Sequence, residues 1–182
     1  MREYFDHATV ALALADADGD NHLLLVNEHF RRLTGYSDSD VLGRNCRMLQ
    51  TSSRGITAQN TEARDKIHAF LGRPGVSVIR TPIVNFRKDG SPFVNLLFMS
   101  KLTSSSGKVR YIFASQFDIS RTRADLLEQY DKDLRETLGR IQPVLEGHNV
   151  IIEGSLATLA NSAAAIAQAK LTLAELEDNS QS

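Results

Sequence analysis

Gly43-Arg44-Asn45-Cys46-Arg47-Met48-Leu49-Gln50 holds the one cysteine of this 182-residue chain. A single thiol cannot close an intramolecular disulfide, so a disulfide scaffold is excluded and a reducing compartment is the simplest setting. The company it keeps is unusual, because the run is crowded with amide and guanidinium donors. Ground-state attack by a thiol needs a thiolate, normally produced by a histidine or a neighbouring positive charge. Arginine cannot serve as the base, and the five histidines are scattered at positions 7, 22, 29, 68 and 148. Neither a cysteine-histidine nucleophile nor a zinc cluster is supplied.

Outward from this run the pattern is mixed. Residues 2–8 predict a short helical cap, with Tyr4, Phe5 and Ala8 on one side. Val10, Leu12 and Leu14 alternate with small residues, which is the period of a strand. Asp16-Ala17-Asp18-Gly19-Asp20-Asn21 is dense in turn formers and predicts a hairpin onto Leu23-Leu24-Leu25-Val26. Residues 28–33 read as a short helix ended by Thr34-Gly35, and Ser37-Asp38-Ser39-Asp40 offers N-caps for another. Past a polar loop over 51–59, Ala63, Ile67, Phe70 and Leu71 predict an amphipathic helix over 60–71, closed by Gly72 and Pro74. Three strands follow at 76–86, 93–102 and 109–117, joined by Lys88-Asp89-Gly90 and Ser104-Ser105-Ser106-Gly107. The sum is an α+β domain: a five-stranded antiparallel sheet with short helices on one face.

After residue 120 the chain changes character. Leu127, Tyr130, Leu134, Leu138, Ile141 and Leu145 are spaced by threes and fours, one stripe on a helix. Gly139 and Pro143 weaken it, and Glu146-Gly147-His148-Asn149 predicts a turn. Ile152, Leu156, Leu159, Ala163, Ile166 and Leu173 make a second stripe, interrupted at Lys170, and residues 178–182 are expected to fray. The expected organisation is an N-terminal cap over 1–8, a domain over 9–120 and an amphipathic helical extension over 121–182. A net charge of −1 gives no long-range reason to expect nucleic acid or an anionic membrane as partner. With 42% hydrophobic and 24% charged residues the composition is that of an ordinary soluble globular protein. No apolar stretch is long enough to span a bilayer and no signal-peptide core follows Met1, so the expected location is cytoplasmic.

The cysteine run resembles the signature of the light-oxygen-voltage (LOV) photosensors, Gly-Arg-Asn-Cys-Arg-Phe-Leu-Gln. Seven of eight residues agree, with Met48 as a soft apolar substitute for phenylalanine. The order of elements over residues 9–120 is similar to the PAS fold, to which LOV domains belong. The resemblance implies a bound flavin, and Cys46 as the photoactive residue that forms a reversible cysteinyl-flavin C4a adduct under blue light. It implies that Asn45, Arg47 and Gln50 contact the ring or its ribityl-phosphate tail. Asn85 and Asn95 match the asparagines at the pyrimidine edge, and Gln116 the glutamine facing N5 and O4. Amides suit that edge because it mixes acceptors with a donor, and an amide offers both halves. A side-chain amide can also rotate when N5 is protonated, which makes Gln116 the expected first mechanical relay. Leu49 and Leu97 are expected to line the ring faces. Arg64 is the match for the phosphate-binding arginine, with Arg54 as the second candidate. FMN is the expected cofactor, with FAD or riboflavin as alternatives.

The chain also departs from the pattern. Val94 stands where an aromatic is common before Asn95, Thr51 replaces the glycine after Gln50, and the segment from Cys46 to Asn85 is longer than in compact plant LOV domains. Nothing after residue 120 offers an ATP-binding glycine box or a basic helix-turn-helix. The reading is therefore a non-catalytic blue-light photoreceptor with helical flanks. It is expected to signal as a homodimer or through helix docking to an unknown downstream protein, its helices covering the sheet in cis or from a second subunit. Two rivals stand beside it: a haem or small-ligand sensor using His68, and a flavin-dependent redox protein using Cys46. A metal centre is not expected.

Overall fold

The computed structural model describes residues 2–120, 124–152 and 163–180. Its layout follows from the alternation in the first strand. In β1 (Ala11–Asp16) Leu12 and Leu14 enter one buried cluster, while Ala11, Ala13 and Ala15 enter another. Side chains of period two must divide this way, so the sheet buries both of its faces. The face carrying the alanines is called the inner face below.

The helix α1 (Arg2–Asp6) precedes β1, and β2 (Leu23–Val26) follows it through the expected turn. Next come α2 (Glu28–Thr34), α3 (Asp38–Val41) and a 3₁₀ turn over Cys46–Gln50. Asn27 caps α2 through its side-chain oxygen, and Gly35 ends it in the left-handed region at φ 75°. Ser37 and Asp40 close a capping box on α3. The long helix α4 (Thr61–Gly72) leads into β3 (Val78–Phe86), β4 (Pro92–Ser104) and β5 (Val109–Asp118). The strands are antiparallel in the order β2-β1-β5-β4-β3, so the first strand pairs with the last of the five. β3 lies at an edge and carries Pro82, which cannot donate to a ladder. Asn60 works like a short extra strand there. Its Nδ2 donates to the Val84 carbonyl and its Oδ1 accepts from the Val84 N–H, each at 2.9 Å.

The domain's short helices lie on one face, as expected: α2, α3, the 3₁₀ turn and α4 pack over the inner face, and the N-terminal α1 and the described helices of the extension pack on the outer one. In α5 (Ala124–Glu146) Tyr130, Leu134, Ile141 and Leu145 are buried in the outer cluster with Phe98 and Phe113. The stripe of threes and fours is thus covered in cis, because an apolar sheet face and an apolar helix stripe each remove the other from water. The sheet also has a sixth strand. β6 (Val150–Ile152) pairs with Leu102–Ser104, beyond the point where β3 stops at Ser100. Ile152 was expected to open a second helix, but the Gly147–Asn149 turn returns the chain to the free edge of β4. The last helix, α6 (Ala163–Ser180), runs past Asp178, and Leu173 packs into the outer cluster. Leu156 and Leu159 lie outside the described residues. Tyr4, expected beside Phe5, is exposed.

Candidate functional site

A cavity of about 120 Å³ opens between the inner face and the helices over it. One water needs on the order of 10–15 Å³ by the same kind of measure, so the space fits a ring system rather than a single solvent molecule. Its floor is made of small side chains. Ala13 and Ala15 of β1 and Ala114 of β5 line it, and Ala13 sits directly opposite Ala114 in the ladder. Leu23, Ile83, Leu97, Met99 and Ile112 add apolar walls from the strands, and Ile67 and Leu71 descend from α4. The 3₁₀ turn closes the remaining side with Asn45, Cys46, Arg47 and Gln50.

Polar groups gather at one end of this cavity. Asn85, Asn95 and Gln116 come from three adjacent strands and are all buried. Asn95 Nδ2 donates to Asn85 Oδ1 at 2.9 Å, and Asn95 Oδ1 accepts from the Phe117 N–H at 3.3 Å. Asn85 also donates to its neighbouring Val84 carbonyl at 3.2 Å. Gln116 is different. Neither its Nε2 nor its Oε1 has a hydrogen-bond partner among the described residues, although the side chain is 2% exposed. A buried amide left in that condition costs about 1–3 kcal/mol per group. A planar ligand that offers both a donor and an acceptor would satisfy it, and the flavin's polar edge has that chemistry. The residues present therefore fit a flavin.

Beyond the cavity mouth lies a vestibule lined by Arg44, Arg47 and Arg64 together with Asp20, Gln50, Thr51 and Thr57. Asn45, Arg47 and Gln50 border both spaces. Three guanidinium groups around one opening suit a phosphate, which they can grip in a fork geometry. Arg64 belongs to this set, whereas Arg54 is exposed in the neighbouring turn and lines neither space. Asn45 and Arg47 have partners within the protein as well. The Asn45 Nδ2 donates to the Asp20 carbonyl, its Oδ1 caps the 3₁₀ turn through the Arg47 N–H, and Arg47 pairs with the Asp20 carboxylate at 2.6 Å.

Leu49 departs from its expected place. It is buried with Val26, Phe30 and Val41 in the inner core and does not line the cavity, whereas Leu97 does. His68 is exposed on the outer side of α4 beside Arg64 and Asp65, away from the cavity. No group of three or more metal-ligating side chains occurs among the described residues. The alanine floor and the α4 residues Ile67 and Leu71 were not singled out as site residues. The alternation of leucine with alanine over 10–15 was the available signal, but only closure of the sheet shows which side of it faces a ligand.

Burial pushes the Cys46 thiol up to about 12 from an ordinary value of 9.0. The arginines beside it in sequence do not offset that, since Arg47 is held by Asp20 and Arg44 donates to the Asp40 carbonyl. A neutral thiol follows across the physiological range. Alkylation by iodoacetamide at pH 8.5 is expected to run at least about 100-fold slower on the folded protein than on the urea-unfolded chain, because thiolate fraction sets the rate. Equal rates would show that the thiol is ionised or freely exposed.

Comparison with known proteins converges on one group. The family model described as a PAS domain matches residues 9–121. A blue-light-activated histidine kinase of Brucella anthropi is 34% identical over 119 residues, covering 65% of this chain and 22% of that protein. The chain spans well under half the length of the curated relatives it matches first. The crystal structure of the Rhodobacter sphaeroides LOV protein superposes with a TM-score of 0.67 at 29% identity, covering 96% of this chain and 89% of that one. The light-state dimer of the fungal blue-light photoreceptor Vivid gives a TM-score of 0.54 at 32% identity, covering 59% and 76%.

Proposed function

This chain belongs to the PAS domain family, with LOV blue-light sensors as its relatives, and from that premise we propose that it is a flavin-binding photosensor whose light-reactive group is Cys46. The observation that carries the reading is the buried amide of Gln116, which has no partner among the described residues, in a cavity that Cys46 also lines. The flavin would supply a light-excited ring to which the Cys46 S–H could add reversibly, sulfur to C4a and the proton to N5, and the vestibule arginines favour a phosphate-bearing form, FMN, over riboflavin. Asn85 and Asn95 hold the polar edge of the ring, and the linked amides restrict each other's rotation. Leu97, Ile67 and Leu71 exclude water from the apolar part. Arg47 and Arg64 hold the phosphate at the mouth. Cys46 keeps its proton in the dark because burial, with no adjacent base, opposes ionisation.

Gln116 supplies the relay. Its amide offers a donor at one end and an acceptor at the other, so rotation lets it answer a change of protonation across the ring. Its neighbour Phe117 points to the opposite face of the sheet, where it stacks on Tyr130 of α5. The output we infer is a change in α5 docking that alters self-association. Since α5 and α6 cover the sheet's outer face in cis, the flanks themselves form the expected homodimer surface, with Leu126 and Leu171 exposed on them. No helix among the described residues is long and apolar enough to cross a membrane, and a cytoplasmic setting suits the free thiol.

The absorption spectrum of the purified protein tests the reading. The expected result is a structured blue band that bleaches under blue light and returns in darkness. A Soret band or a colourless protein that cannot be reconstituted with flavin would overturn it.

A further inference from the structure

Lys101 is a lysine where a sheet interior would ordinarily hold an apolar side chain. It is 7% exposed, follows Asn95, Leu97 and Met99 along the inner face of β4, and has Ile112 opposite in the ladder. No carboxylate among the described residues pairs with it. An unpaired buried ammonium is unfavourable enough that it needs compensation from its surroundings. All of that compensation comes from one place. The Nζ donates to the Arg73 carbonyl at 3.1 Å and lies 5.2 Å from the Phe70 ring centroid. Phe70 is in the last turn of α4, and Arg73 is the capping residue that follows it.

That helix end lacks the usual terminator. Helices commonly close on a left-handed glycine that satisfies their last carbonyls. Here Gly72 is the final helical residue and the capping position, Arg73, is extended at φ −100° and ψ 128°. The last carbonyls carry the negative end of the helix dipole, and a cation placed there is stabilised. Lys101 reaches across from the sheet to place its ammonium there, bonded to the carbonyl of the capping residue Arg73 and beside the Phe70 ring. The other end of α4 is tied to β3 by Asn60. Between these two ties the helix presents Ile67 and Leu71 to the cavity and Arg64 to the vestibule.

We propose that Lys101 is a positioning residue of the flavin pocket: its buried ammonium caps the C-terminus of α4 and thereby fixes the Ile67–Leu71 wall. The proposal rests on the flavin reading above. Lys101 does not line the cavity, so its influence passes through α4. Dark reversal returns a proton to the Cys46 sulfur, and water admitted past a loosened wall would carry that proton more readily.

The test compares Lys101→Met, Lys101→Arg and Phe70→Leu in the full chain. Lys101→Met keeps length and apolar bulk but removes the charge. It is expected to lose hydrogen-exchange protection in the last turn of α4 by roughly 10- to 100-fold, the span for a lost hydrogen bond to a charged group. Its dark recovery should accelerate by about tenfold as the same opening admits water. Lys101→Arg should restore both to within about twofold of the parent, and Phe70→Leu, which removes the ring contact but also leaves a small cavity in the inner core, should loosen the last turn of α4 without removing the Arg73 bond. Unchanged α4 protection in Lys101→Met overturns the proposal. So does lost protection with unchanged recovery, which would leave Lys101 a helix anchor without influence on the pocket. The exchange measurement needs no light response, so in a colourless protein the flavin reading falls with the pocket role, while α4 protection in Lys101→Met still shows whether Lys101 holds the helix end.

Discussion

A Cys46→Ala protein is expected to stay yellow and to lose light-induced bleaching completely. The two properties separate because different side chains carry them. On the proposed reading, retention would rest on Asn85, Asn95 and Gln116, which line the cavity, and on Arg47 and Arg64, which line the vestibule beyond it, and none of these side chains carries sulfur. Reactivity rests on one thiol that burial keeps neutral. Removing that sulfur leaves no second cysteine anywhere in the chain to replace it. The change in fold stability should be small, about 1 kcal/mol or less, because the substitution removes a single heavy atom. Illumination of both proteins, followed by absorption and by urea titration, provides the comparison. A variant that bleaches and recovers like the parent would remove Cys46 from the photochemistry.

Tyr130→Ala is expected to destabilise the docking of α5 by about 3–5 kcal/mol, the usual cost of deleting a buried aromatic. Tyr130 stacks on Phe117 at 4.4 Å with the rings 10° from parallel, and its hydroxyl donates to Ser115 Oγ at 3.1 Å. Arg80 lies 5.7 Å from the ring centroid and also pairs with Asp131, the next residue of α5. Burial pushes the Tyr130 hydroxyl up to about 12, so it remains a donor through the physiological range. Phe117 is the reason for choosing this site. Its N–H donates to Asn95 inside the cavity while its ring meets α5 on the far side of the sheet. Truncating Tyr130 should abolish the light-dark difference in α5 exchange protection while the blue band still bleaches. Tyr130→Phe, which keeps the stack, should cost only about 1 kcal/mol for the hydroxyl. A persisting light-dark difference in Tyr130→Ala would show that the signal leaves the cavity by another route.

The local rules were readable along the chain wherever neighbours in sequence supply them. Gly35 and Ser37 mark helix ends through their own φ or side chain, and the turn formers at 16–21 and 104–107 sit where the hairpins close. The three amides were identifiable through the family signature, and the structure gathers them in one cavity. Other features lacked such a signal. The tripeptide of β6 looked helical because Ile152 fits a spacing of threes and fours, yet the open edge of β4 claimed it. Leu49 adjoins the reactive run in sequence but packs into the core beside Phe30 and Val41. Asp20, partner of both Asn45 and Arg47, lies 27 positions before Arg47.

Composition, periodicity and one eight-residue run suffice to specify the elements of the domain over residues 9–120, their order and the light-sensing family, because those depend on contacts between near neighbours and on repeat periods. Folding in three dimensions assigned the rest. It left the Gln116 amide without a partner among the described residues in a cavity that Cys46 also lines, folded α5 back onto its own sheet, and placed Lys101 at the end of α4. These outcomes depend on which surfaces meet after the strands pair. Desolvation and distant hydrogen bonds act only once those surfaces have closed, so no stretch of the chain carries them by itself.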